Sequence, residues 1–166
     1  MLQPTVRRTW APKGQTPILK SYDRRDRLSA ISAVTVSPQR RRLGLYFDIL
    51  DHNVKAEDFE VFVEHLLRRV RRPIILVIDR YSVHRSAVKH LLARHPQRLS
   101  IEWLPAYAPE LNPDEQVWNH TKYADLANFV PDDVVHLGRS VAASLRQTRG
   151  QQALLRSFFQ HAELPL

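Results

Sequence analysis

At 166 residues with 43% hydrophobic side chains, the chain is long enough to bury one continuous core, and residues 1–166 read as a single domain. Its formal charge is +8, and 20 of the 25 basic residues are arginine, the side chain best suited to bidentate phosphate contacts. Residues 1–50 hold 10 basic and 3 acidic residues, against 15 and 14 in residues 51–166, so the excess sits in the first third and favours a polyanionic partner. A GC-rich coding bias would explain the choice of arginine over lysine but not this clustering. The absence of cysteine excludes disulfides and thiolate metal sites. No stretch approaches the ~18 apolar residues of a membrane span, and MLQPTVRRTW lacks the apolar core of a signal peptide. No membrane partner is expected, and the expected location is cytoplasmic.

Residues 1–27 place Pro4, Pro12, Gly14 and Pro17 among basic side chains, which predicts an extended leading segment with a short strand at residues 18–21. LSAISAVTV at 28–36 is rich in small and β-branched residues, and Leu43, Leu45, Phe47 and Ile49 alternate with Gly44, Tyr46 and Asp48. These are two antiparallel strands joined by SPQRRR, a basic tip whose Arg40, Arg41 and Arg42 either touch phosphate or form a solvated loop. In AEDFEVFVEHLLRRVRR, Phe59, Phe62, Val63, Leu66, Leu67 and Val70 recur at helical spacing, with acids opening the helix and arginines closing it. IILVI at 74–78 is an unbroken apolar run, the pattern of a parallel strand buried on both faces. A helix over 85–94 with Val88, Leu91 and Leu92 inward follows, stopped by Pro96, and then a strand over 99–104. A helix from about residue 132 presents Val134, Gly138, Val141 and Leu145 and ends at Gly150, and QQALLRSFFQ forms a last packing helix. The order of elements is that of an α/β domain.

The residues fit for chemistry lie at two junctions. Asp79 is the first polar residue after IILVI, at the carboxyl end of a strand, where open α/β sheets place ligands. The alternative is an aspartate that only starts the turn into the next helix. His84 either orients a phosphate or water there or decorates the helix start. In IEWLPAYAPELNPDEQVWNHTK, residues 101–122, Asn112, Pro113 and Glu115 form a helix-capping pattern, yet Glu115 shares a broad helical face with Trp118 and Lys122 that would aim it at the strand ends. Cap and ligand roles compete for that carboxylate. Asp79 and Glu115 together suit a site for Mg²⁺ or Mn²⁺, hard ions that take oxygen ligands, and two such ions about 3.5–4 Å apart support phosphoryl transfer. No HExxH, P-loop, GxGxxG or GxSxG is present.

IILVIDRYSVH followed by LPAYAPELNPDEQVW resembles the catalytic domain of DDE insertion-sequence transposases, the bacterial relatives of the mariner group. In that family a strand ends in Asp, His follows shortly after, and a PxYxPxLNPxExxW turn brings the last acid. The matching positions are Asp79 and Glu115, with 35 residues between them, and RRTWAPKGQTP at 7–17 resembles the segment after the family's first catalytic strand. The resemblance implies an α/β fold like that of RNase H, a mixed sheet flanked by helices. It implies cleavage of transposon ends and joining of the 3′-hydroxyl to target DNA, two Mg²⁺ or Mn²⁺ ions held by Asp79 and Glu115, and a possible homodimer. Arg7, Arg8, Lys13, Arg40, Arg41, Arg42 and His84 become the expected DNA contacts, which would associate the protein with the nucleoid.

The family's first catalytic Asp lies on a strand ahead of RRTWAPKGQTP, and its helix-turn-helix region lies further ahead. Neither has a counterpart here, so a partial catalytic domain is expected, with the strands at 28–36 and 74–78 lacking their shared central neighbour. The alternative function is a catalytically inactive, DNA-binding or assembly-interfering remnant. Trp103 and Trp118 are expected in the core, and Trp10 in the core or against DNA.

Overall fold

A computed structural model of the chain describes residues 6–18, 28–106, 108–164 and 166. The strand expected at 18–21 falls, apart from an exposed Ile18, outside those residues. Strands β1 (Ser29–Val36) and β2 (Leu43–Leu50) pair antiparallel, from Ser29 opposite Leu50 to Val36 opposite Leu43. The period-2 pattern splits their side chains between two apolar clusters. Ile31, Ala33, Tyr46 and Leu50 join one, while Val34, Leu43, Leu45, Phe47 and Ile49 join the other. The connecting turn is pinned by Ser37, whose carbonyl accepts from the Arg40 N–H at 2.7 Å and whose Oγ accepts from the Arg42 N–H at 3.0 Å.

Helix α1 (Ala56–Arg69) buries Phe59, Phe62, Val63, Leu66 and Leu67, the stripe expected from its periodicity. It is capped by the Asp58 carboxylate, which accepts from the Lys55 N–H at 2.8 Å. It ends at Arg69, one residue before Val70, the last apolar position of the pattern, and Arg98 Nη2 donates to the Leu67 and Val70 carbonyls at 3.0 and 2.7 Å, satisfying groups that the helix end leaves open. Strand β3 (Ile74–Ile78), helix α2 (Ser82–Arg94) and strand β4 (Leu99–Trp103) form a parallel unit with Ile74 opposite Leu99 and Ile78 opposite Trp103. Helix α2 begins three residues earlier than its apolar spacing suggests, at the turn after Asp79.

The expectation that IILVI is buried on both faces is wrong. Leu76 and Ile78 pack against α1 and α2, but Ile75 and Val77 are 69% and 55% exposed. An apolar run reports that both faces avoid charge; it does not say that a layer covers each. Among the described residues β1 and β2 have helices on both sides, whereas the helices that cover β3 and β4 are α1 and α2. Trp103, at the end of β4, is accordingly 36% exposed instead of core, and Trp10 is fully exposed, while Trp118 packs in the second cluster as expected.

A 3-10 turn (Pro109–Leu111), helix α3 (Pro113–His120) and a π-helical turn (Thr121–Asp125) lead to α4 (Val134–Gly150) and α5 (Gln152–His161). Helices α4 and α5 close the second cluster through Leu137, Val141, Leu145, Leu155, Phe158 and Phe159. The Gln152 side chain bonds both the N–H and the carbonyl of Leu43 at 2.9 Å, which covers the start of β2 as a strand would. Among the described residues β1–β2 and β3–β4 are two separate two-stranded sheets, so the two pairs share no strand, as the sequence led one to expect. The whole is a mixed α/β arrangement of small sheets and helices.

Candidate active site

Asp79 follows β3 and accepts, on one oxygen, the Tyr81 N–H at 3.0 Å and the His84 Nδ1–H at 2.7 Å. The turn-starting reading of this residue is therefore seen in the structure. Oδ1 starts the turn into α2, and Oδ2 takes part in neither bond. The His84 ring is held in turn against Phe59, with ring centres 4.4 Å apart, and against the edge of Tyr81. His84 is thus the side chain that fixes Asp79, and its Nδ1 is not turned toward an outside ligand. A carboxylate accepts only, so the proton of this bond sits on Nδ1.

Glu115 lies in the first turn of α3. The helix cap is Asn112, whose Oδ1 accepts from the Asp114 N–H at 3.1 Å, and Glu115 adds only a backbone bond to the Asn112 carbonyl. The capping role expected of Glu115 is thus filled by Asn112, and the Glu115 carboxylate does not return to the cap. It lines a pocket of about 250 Å³ with Trp118, Lys122, Ser29, Ala30 and Ile49. The predicted common face of Glu115, Trp118 and Lys122 is therefore present.

A chain of contacts relates the two acids. Asp79 bonds His84, His84 packs on Phe59 in the first turn of α1, and α1 follows directly from the end of β2, where Leu50 pairs with Ser29 beside Glu115. Asp79 is thus linked through His84 and Phe59 to the first turn of α1, and Glu115 stands beside Ser29 at the start of β1. Among the described residues no three His, Asp or Glu side chains stand close enough together to form a complete ligand set. The donors on hand are nevertheless the right kind: two surface carboxylates with a spare oxygen, hard ligands for Mg²⁺ or Mn²⁺.

The neighbour of Glu115 was not singled out by sequence. Asp114 is enclosed between α3 and β1, where its Oδ2 accepts from Ser32 Oγ at 2.6 Å, and Ser32 Oγ accepts from Trp118 Nε1 at 2.9 Å. Its Oδ1 is buried without a hydrogen-bond partner. Burial pushes this carboxyl up from 3.8 to about 6, against the opposing Ser32 and Trp118 hydrogen bonds and with a smaller upward push from Glu115. The signal was available: residues 114, 117, 118 and 121 fall on one helical face, and Val117 and Thr121 are its fully buried members.

Of the expected DNA contacts, Arg7, Arg8 and Lys13 are exposed on the leading segment. A turn closes there at Gly14, whose φ of +85° suits glycine, with the Gln15 N–H bonded to the Pro12 carbonyl. The Arg7 N–H donates to Asn128 Oδ1 at 2.7 Å, tying this segment to the loop after α3. Arg40, Arg41 and Arg42 are exposed at the β1–β2 turn, and Arg156 of α5 holds that turn by donating to the Arg40 and Arg41 carbonyls at 2.9 and 3.1 Å. The structure does not bring these arginines to Glu115, since the tip is at the opposite end of β1 and β2 from Ser29.

Residues 1–134 match the family model described as DDE superfamily endonuclease. Among solved structures, a chain of the crystal structure of the Mos1 strand transfer complex superposes with a TM-score of 0.63 at 17% sequence identity, a likeness of fold. The match covers 98% of this chain and 48% of the solved one, so this chain spans about half the length of its structural neighbour. No curated protein matches significantly.

Proposed function

Because the chain belongs to the DDE superfamily of endonucleases, we propose that it is part of the catalytic domain of a transposase, cleaving DNA at element ends and joining the freed 3′-hydroxyl to target DNA. The observation that carries this reading is the pair Asp79, at the end of β3, and Glu115, in the first turn of α3, each with a carboxylate left available by its own local structure. These two residues would hold the divalent ions. Mg²⁺ or Mn²⁺, when bound, supplies charge neutralisation at the phosphate and a more acidic attacking water or hydroxyl. The chain's own residues contribute orientation: His84 and the Tyr81 N–H fix one Asp79 oxygen, which preserves the direction of the other, and the α3 cap fixes the backbone that carries Glu115. The neighbouring solved protein is in a strand transfer complex, which supports DNA as the substrate class. Exposed Arg7, Arg8 and Lys13 supply non-specific phosphate attraction.

The test is Mg²⁺- and Mn²⁺-dependent nicking of element-end DNA by the protein expressed from its longest reading frame. Asp79→Asn and Glu115→Gln should each abolish nicking while leaving DNA binding intact. Undiminished nicking by both variants would refute the assignment.

The exposed basic segment and tip favour a second reading, a DNA-binding protein without cleavage. That reading predicts strongly salt-dependent DNA binding that is indifferent to metal and to both substitutions.

A further inference from the structure

We propose that Asp114 is a positioning residue for Glu115: together with Ser32 and Trp118 it fixes the rotation of α3 on β1, and so sets where the Glu115 carboxylate stands. The inference rests on the reading of Glu115 as a metal ligand. Helix α3 has eight residues, of which only Val117 is fully buried. Such a short helix has little intrinsic stability, and one buried valine does not define its rotation about its own axis. The polar contacts do. Asp114 and Trp118 are four residues apart and so share a face, and both bond the same Ser32 hydroxyl in the middle of β1, which donates to one and accepts from the other. With those two positions anchored, residue 115 is turned by about 100° from residue 114. That is the side on which Ser29, Ala30 and Ile49 form the pocket that Glu115 lines.

An apolar residue at 114 would fill the same space and leave the Ser32 hydroxyl, itself the acceptor for Trp118 Nε1, with nothing to donate to between the layers. The carboxylate satisfies it at the cost of its own Oδ1, buried and unpartnered. A buried polar atom left unpaired within the turn that bears a candidate ligand is the kind of local expense that functional sites retain. Asn112 completes the arrangement by capping the Asp114 N–H, so both the side chain and the backbone of residue 114 are held.

The experiment measures Mn²⁺ affinity of the chain by electron paramagnetic resonance of free Mn²⁺, with circular dichroism confirming that each variant is folded. Glu115→Gln should remove the site. Ser32→Ala changes no charge and deletes one hydroxyl, yet should weaken Mn²⁺ binding about ten-fold, the usual scale for a group that orients a metal ligand. Asp114→Ala should weaken it at least as much, whereas Asp114→Asn, which still accepts from Ser32, should recover most of that loss. Amide exchange in the first turn of α3 should speed up in Ser32→Ala and Asp114→Ala and not in Asp114→Asn. If Glu115→Gln abolishes binding but folded Ser32→Ala and Asp114→Ala bind as the wild type does, the positioning role is overturned and the reading of Glu115 stands. If Glu115→Gln itself leaves Mn²⁺ affinity unchanged, the reading of Glu115 falls, and the inference with it.

Discussion

Asp114 and His52 both favour acid, in different windows of pH. The Asp114 carboxyl is raised from 3.8 to about 6 by burial, so between those values the folded chain keeps a proton that the unfolded chain has released. Its contribution to stability is therefore lost as pH rises from about 4 to about 6, and by pH 7.5 the folded state carries a buried charge. A shift of roughly two pH units corresponds to at most about 3 kcal/mol. Asp114→Asn should accordingly gain stability relative to wild type at pH 7.5 and little at pH 4.5, measured as urea midpoints in chelator. An equal difference at both pH values would show that burial does not perturb this acid. His52 is raised as well, but by partners and not by burial: first by the hydrogen bond to Asp51 and then by that to Asp58, with contacts of 2.9 and 3.1 Å. Its contribution is complete below about 6.5 and is lost as pH rises through the higher folded value. His52→Ala should thus shift the unfolding midpoint more at pH 5.5 than at pH 8.5.

At the scale of elements, two predictions separate decoration from support. Arg98 gathers the Leu67 and Val70 carbonyls at the end of α1, so Arg98→Ala should cost roughly 1.5–3 kcal/mol, the range for hydrogen bonds from a charged donor. On β3 the faces differ: Leu76→Ala should cost about 2–5 kcal/mol as a core truncation, while Ile75→Thr or Val77→Thr should stay within about 0.5 kcal/mol. Thermal or urea unfolding measures each. The same strand marks where the sequence stopped being legible. The helices α1, α4 and α5 announced themselves through 3.6-residue periodicity, because each covers a cluster with one face. IILVI has no period, and whether a layer lies on each side of it depends on helices distant in the chain. Asp79 and Glu115 were legible as strand-end and helix-start acids. Asp114 was not, because its environment depends on Ser32, 82 residues away, and on how α3 docks.

Over the whole molecule, the candidate site and the arginine tip are separated by the length of the β1–β2 hairpin. Eight residues at about 3.4 Å per residue set them roughly 24 Å apart. DNA engaged at both places would have to extend about seven base pairs along the molecule, at one base pair per ~3.4 Å of axis. Replacing Arg40, Arg41 and Arg42 by alanine should therefore weaken DNA binding and reduce the slope of log K against log salt by up to about 3, without altering Mn²⁺ affinity. A joint loss of DNA and metal binding would mean that the tip acts on the site directly or holds up the fold.

The central claim is that Asp79 and Glu115, from different elements, serve one divalent site. A double-mutant cycle on Mn²⁺ affinity tests it most directly. If the two carboxylates share ions, Asp79→Asn and Glu115→Gln each remove most of the affinity and the double variant loses little more, giving a coupling energy well beyond the ~0.5 kcal/mol scatter of independent sites. Losses that simply add, or a single variant that binds Mn²⁺ as the wild type does, would contradict the account.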